Sequence, residues 1–147
     1  MSVAAVVLDA STTAAWLLPD EASDSSRAAY RRLRRGALEL HAPQLWLWEC
    51  GNIIANGVKR RRIAPADALL TWSVLDAVRA RVELMSPEPS QVRAALVLAI
   101  DHGLSLYDAA YLWLALSLQL PLLTADVRLR RAADENALAV VAFDDVS

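Results

Sequence analysis

Residues 103–126, GLSLYDAAYLWLALSLQLPLLTAD, constrain the fold more than any other stretch. They are too apolar for a surface segment. Gln119 and Pro121 interrupt them before they reach the ~20 consecutive apolar residues that a membrane span needs. The stretch reads as a buried helix starting near Ser105, then a short buried strand over Pro121–Thr124. Asp108 stands in the first helical turn, and Asp126 stands just past the strand. In a parallel α/β layer helices begin where strands end, so these two acids belong to one edge of the sheet.

The rest of the chain supplies more units of the same kind. Val3–Leu8 is a short continuous apolar run, the mark of a strand buried on both faces, and Asp9 ends it. Ser11 or Thr12 is a fitting N-cap for a helix over Thr13–Leu18, stopped by Pro19 and Asp20. A helix from Ser23–Ser26 to Arg35 turns Ala28, Ala29, Leu33 and Tyr30 inward and closes at Gly36. Leu38–His41 is a second strand, and Pro43 opens a helix over Gln44–Val58. A helix over Ala66–Arg79 follows, with Leu69, Leu70, Trp72 and Leu75 as inward positions. Val82–Leu84 is a third strand, and Ser90 caps a helix over Gln91–Asp101. After Asp126 come a helix over Val127–Ala133 and a last strand over Leu138–Phe143. At 147 residues this is one α/β domain with a mostly parallel sheet.

Composition excludes several classes. A net charge of −2 rules out a general electrostatic hold on nucleic acid. RNA contact would need local patches, of which Arg31–Arg35 and Lys59–Arg62 are the two visible, and such runs are more often solvated helix faces. One cysteine, Cys50, permits no internal disulfide and no cysteine-based zinc site, which suits a cytoplasmic protein. The N-terminus lacks a basic leader and reads as a strand, not a signal peptide. Four glycines make no phosphate-binding loop, and His41 and His102 lack ligand spacing. An apolar fraction of 56% points to surface buried in an oligomer or against a partner.

The chemistry lies in the acids. Asp9, Asp108 and Asp126 fall on the carboxyl edge of the inferred sheet, and Glu49, on the helix after strand two, is the natural fourth. Each has a bland reading. Asp9 and Asp126 suit helix caps, Ser105 and Asp108 suit a capping box, and Glu49 suits a solvated stripe with Asn52 and Asn56. Their convergence is what favours a site. Clustered carboxylates repel unless a cation joins them, and an all-oxygen set suits magnesium or manganese. Such a centre is a device for phosphodiester hydrolysis. A haloacid-dehalogenase-type phosphatase would need an acid where Ser11 stands, and a receiver domain would need a lysine later than Lys59.

The segments VVLDASTTAAWLLPDE, LWLWECGNII and LSLYDAAYLWLALSLQLPLLTAD, in this order and spacing, resemble the PIN-domain ribonucleases, in particular the VapC-type toxins of bacterial toxin–antitoxin pairs. The resemblance covers essentially the whole chain, residues 1–147. It implies a PIN-like three-layer sandwich with a mostly parallel central sheet flanked by helices. It implies a Mg2+- or Mn2+-dependent endoribonuclease acting on RNA of the tRNA or rRNA class. Asp9, Glu49, Asp108 and Asp126 would be its catalytic and metal-binding acids. Ser11 and Thr124 match hydroxyls that orient them, and Asn52 matches a polar companion of the helix glutamate. The family pattern further implies a cognate small antitoxin protein and a homodimer. The alternative is a non-catalytic PIN-like module that binds RNA or protein; a missing acid would favour it, and all four are present. Gly51 is an unusual mid-helix residue beside Glu49.

Overall fold

The structure is a computed structural model and describes residues 4–147. Val3, the expected start of the first strand, lies outside the described residues. Five short strands form one sheet: β1 (Ala4–Leu8), β2 (Leu38–Pro43), β3 (Val82–Met85), β4 (Leu122–Leu123) and β5 (Val140–Val141). Their order is β3-β2-β1-β4-β5, and every pairing is parallel. From β1 the chain steps outward through β2 to β3, then crosses back to add β4 and β5 on the other side. Right-handed crossovers run in opposite directions put helices on both faces, which gives the three-layer sandwich. Between β1 and β4 the direction of winding reverses. In open α/β sheets ligands bind at such a reversal, outside the carboxyl ends of the strands.

The helices are α1 (Ala10–Leu17), α2 (Asp24–Arg34), α3 (Leu45–Lys59), α4 (Ala68–Arg79), α5 (Pro89–His102), α6 (Leu106–Leu118), α7 (Val127–Glu135) and α8 (Phe143–Val146). Val6, Val7 and Leu8 of β1, Leu40 of β2 and Leu122 and Leu123 of β4 form the centre of the core and are essentially inaccessible. Gly57 on α3 makes room for the side chains of Ile63 and Leu18. A Cβ there would stand 2.8 Å from Cδ1 of Ile63 and 3.1 Å from Cδ2 of Leu18. Gly51 needs no such space: its added Cβ would meet only Trp72, at 3.7 Å, and α3 passes through it unbroken. Among the described residues no helix is long and apolar enough to cross a membrane.

Local details correct the sequence expectations. Asp9, not Ser11 or Thr12, caps α1, which therefore starts at Ala10. A carboxylate at a helix N-terminus gains from the dipole as well as from the hydrogen bond. Glu88, not Ser90, caps α5, because Gln91 returns its side-chain oxygen to the Glu88 N–H at 2.8 Å and Pro89 suits the first helical position. Pro43 ends β2, in register with Met85, and does not open α3. A 3-10 turn over Pro65–Asp67 delays α4 to Ala68. Of its four expected inward residues only Leu75 is buried, joined by Val78; Leu69, Leu70 and Trp72 are exposed. The expected last strand shortens to Val140–Val141, because the Asp145 carboxylate takes the Ala142 N–H at 2.8 Å and starts α8.

Candidate active site

Asp9 is the hub of the carboxyl edge. It leaves β1 as that strand ends and is 4% exposed. A buried carboxylate needs several donors, and Asp9 has them. Its Oδ1 accepts the Thr12 N–H at 2.8 Å. Its Oδ2 accepts the hydroxyls of Thr124 at 2.5 Å and of Ser11 at 3.1 Å. Thr13 donates to the Asp9 carbonyl at 3.0 Å and in turn accepts the indole N–H of Trp46 at 2.9 Å. Trp46 is fully buried on α3, so this chain of bonds fixes α3 against the start of α1.

Thr124 ties β4 to the same point. Its Oγ1 donates to Asp9 and accepts the Asp126 N–H at 3.0 Å. Asp126 then caps α7, with its Oδ1 taking the Leu129 N–H at 3.0 Å. Asp108 lies one helical turn into α6, where its N–H is capped by Ser105 Oγ at 3.0 Å. Both bland readings, the N-cap of Asp126 and the Ser105 cap of α6, are therefore real. They are compatible with a site, because capping fixes the turns from which the two carboxylates project.

Glu49 projects from α3 and accepts the Tyr111 hydroxyl on Oε1 at 2.6 Å. Burial raises its pKa; the Tyr111 bond opposes this, and the charges of Asp108 and Asp9 add to the rise. Burial likewise raises Asp108; Ser105 opposes, Asp126 and Asp9 add, and Arg128 opposes. Glu49 therefore lies within Coulomb range of Asp108 and Asp9, and Asp108 within range of Asp126 and Asp9. Tyr111 is buried, and burial together with Glu49 holds its hydroxyl protonated far above the ordinary range. It is a permanent donor.

Among the described residues no three His, Cys, Asp or Glu side chains converge tightly enough to form a ready-made metal cage. The donor set still suits a hard cation. It consists of carboxylate oxygens, with Glu49 and Asp108 raised in pKa by burial and by neighbouring acids, and Asp9 locked in orientation. Magnesium is commonly held by one or two carboxylates while keeping several waters, so spaced carboxylates suit it better than a closed cage.

Sequence reasoning missed Tyr111, Thr13 and Trp46. Tyr111 sits among Leu112, Trp113 and Leu114 and carries no polar signal of its own. Asn52 is not drawn in: it is exposed and makes no side-chain hydrogen bond among the described residues. His41 and His102 do have acid neighbours, Glu39 at 2.6 Å and Glu135 at 2.7 Å, although neither meets the four acids. Cys50 is buried, and burial pushes its thiol up to about 12, so it stays a neutral thiol. The Arg31–Arg35 cluster is partly structural, since Arg32 donates to the Val146 and Ala37 carbonyls. Arg62 is held by Asp20 and Glu21.

Comparison with known proteins matches a family model described as PIN domain to residues 6–135. Ribonuclease VapC9 of Mycobacterium tuberculosis is 35% identical over 127 residues, covering 84% of this chain and 87% of the relative. Ribonuclease VapC3 of Pyrobaculum aerophilum is 30% identical over 128 residues, covering 84% and 91%. Among solved structures, PAE2754 of Pyrobaculum aerophilum superposes with a TM-score of 0.73 at 21% identity, covering 99% of this chain and 93% of that one. VapBC2 of Rickettsia felis, solved bound to a promoter DNA fragment, gives 0.64 at 12% identity, covering 94% and 98%.

Proposed function

This chain belongs to the PIN-domain family, in its VapC-type group, and from that premise we propose that it is a metal-dependent endoribonuclease toxin inhibited by a cognate antitoxin. What supports the reading is Asp9 at the end of β1, where the winding reverses towards β4, held by Thr124 and Ser11, with Glu49 and Asp108 both within range of its charge and Asp126 within range of Asp108. The names of the ribonuclease relatives support the reaction class.

Asp9 and Asp108 are the main candidates to hold a magnesium or manganese ion, with Glu49 and Asp126 contributing directly or through water. When bound, the ion supplies Lewis-acid activation of water and neutralises charge at the phosphate. The chain's own residues do the rest. Thr124 and Ser11 keep Asp9 aimed. Tyr111 keeps Glu49 Oε1 engaged, which leaves Oε2 for the site. Asp126 spends one oxygen on the helix cap and keeps the other free. The substrate class is RNA, with tRNA or rRNA expected from the family.

Two apolar surfaces suit the two protein partners. Trp48, 82% exposed, stands one residue before Glu49 and flanks a groove of about 470 Å³ formed with Leu47, Gly51, Ala55 and Trp72. A small antitoxin seated there would end beside the carboxylates. Val92, Leu96, Val97 and Ile100 on α5, with Tyr107 on α6, form a second exposed face for a homodimer, which meets the first where Trp48 shares a groove with Val92 and Tyr107. The test is expression of the chain alone and together with the small open reading frame beside it. Growth arrest relieved by the neighbour is expected. Harmless expression, with structured RNAs left intact by the purified protein in manganese, would overturn the reading.

A further inference from the structure

The four carboxylates repel an approaching phosphate, so RNA needs cations placed beside them. The two visible arginine clusters do not supply them as whole clusters. Arg32 is tied to backbone carbonyls, and Arg62 is neutralised by Asp20 and Glu21. Two clefts adjoin the acids and share no residue. One, of about 240 Å³, is lined by Ser11, Asn56 and Arg60, with Glu21 and Arg62 at its far side already paired to each other. It reaches the site through Ser11, which donates to Asp9 Oδ2. The other, of about 340 Å³, is lined by Gly103, Val127 and Arg128, with Arg131 and Glu135 beyond them. It reaches the site through Val127 and Arg128, which directly follow the Asp126 cap at the start of α7.

In the second cleft Glu135 is occupied. It takes His102 at 2.7 Å and lies 3.8 Å from Arg131. Asp101 lines the same cleft as an exposed acid, so the inner end beside Arg128 is the more favourable place for an anion. Arg60 and Arg128 are exposed, and neither makes a salt bridge among the described residues. They stand in the clefts that leave the carboxylates by way of Asp9 and of Asp126.

We propose that one strand of RNA crosses the site from cleft to cleft, with the phosphate on one side of the scissile bond held by Arg60 and the phosphate on the other side by Arg128. This rests on the ribonuclease reading and names the residues that would hold its substrate. A guanidinium gives a phosphate two parallel hydrogen bonds, which fixes the backbone's position without reading its bases. The span also explains how a chain of net charge −2 grips a polyanion locally.

The test is fluorescence-anisotropy binding of an unstructured RNA oligonucleotide to the full chain carrying D126N, which keeps a good helix cap and removes one acid. Salt is varied in the presence of magnesium. Each phosphate contact contributes about 0.7 to the slope of log K against log salt for a single strand. R60A and R128A should each weaken binding and flatten the slope by about 0.7, and the double variant by about 1.4. R35A, in the other cluster, should leave both unchanged. Slopes for R60A and R128A equal to the parent's, or an equal loss in R35A, would overturn the track while leaving the ribonuclease reading intact. A parent that binds no RNA at low salt would overturn both.

Discussion

Among the described residues Thr124 is the one side chain hydrogen-bonded to two of the four acids, so its hydroxyl is the most informative atom to remove. T124V keeps the shape and deletes the Oγ1 that donates to Asp9 Oδ2 and accepts the Asp126 N–H. A hydrogen bond to a charged group contributes roughly 1.5–3 kcal/mol, and leaving a buried partner unpaired adds to the loss. Thr124 is 2% exposed and Asp9 4%, so water replaces little of what is lost. Asp9 retains Thr12 and Ser11, which limits the damage. The expected cost is about 2–4 kcal/mol, a fall in Tm of roughly 5–15 °C for a domain of this size. Misplacing a reacting group by an ångström costs on the order of 100-fold in rate, so cleavage should fall by at least that much. T124S keeps the hydroxyl and should stay close to wild type in both. The assays are urea unfolding and metal-dependent cleavage of an RNA oligonucleotide. A T124V protein within about 0.5 kcal/mol of wild type that cleaves at the wild-type rate would refute the account of Asp9.

Other consequences are open to measurement. Burial, then neighbouring acids, raise Glu49 and Asp108 in the folded protein. Their contribution to stability is therefore full below the ordinary carboxylate range and lost as pH rises through the raised folded values. The metal-free protein should lose stability from roughly pH 4 upward, and E49Q should lose less; equal slopes in urea melts across pH would contradict this. Y111F removes the donor to Glu49 and should lower the cleavage rate and shift its pH profile, with KM little changed; an unaltered profile would count against a positioning role. G57A places a methyl against Ile63 and Leu18, costing about 1–3 kcal/mol, of which about 1 is returned by helix propensity; denaturant melts should show a net loss, and a gain would contradict the packing. Cys50, with its thiol pushed up to about 12, should resist thiol reagents in the native protein and react after unfolding.

Much of this was legible in the sequence because the strands are short, valine- and leucine-rich, and end in acids. Asp9 after Val6–Leu8 and Asp126 after Leu122–Thr124 are visible as strand-ending carboxylates, and parallel topology alone brings them to one edge. The caps were less legible. Asp9 competes with Ser11 and Thr12 for the same helix start, and only the backbone shows which side chain faces the free N–H groups. Leu69, Leu70 and Trp72 read as inward because apolar periodicity cannot distinguish a face turned to the core from a face turned to a partner. Tyr111 and Trp46 were hidden for the opposite reason. Each is a buried aromatic whose single polar atom finds its acceptor on a distant element, Glu49 and Thr13 respectively, and no local pattern reports that pairing.

In the proposed function the carboxylates at the β1–β4 reversal would hold a divalent cation needed for RNA cleavage. The most direct measurement is cleavage of an RNA oligonucleotide by the purified chain and by D108N, each titrated with manganese after removal of metal by chelation. The account predicts no cleavage without metal, saturable cleavage by the wild type as manganese is added, and none by a D108N protein whose melt shows it to be folded. Wild-type cleavage that persists in excess chelator, or a D108N protein that cleaves as fast as wild type, would contradict it.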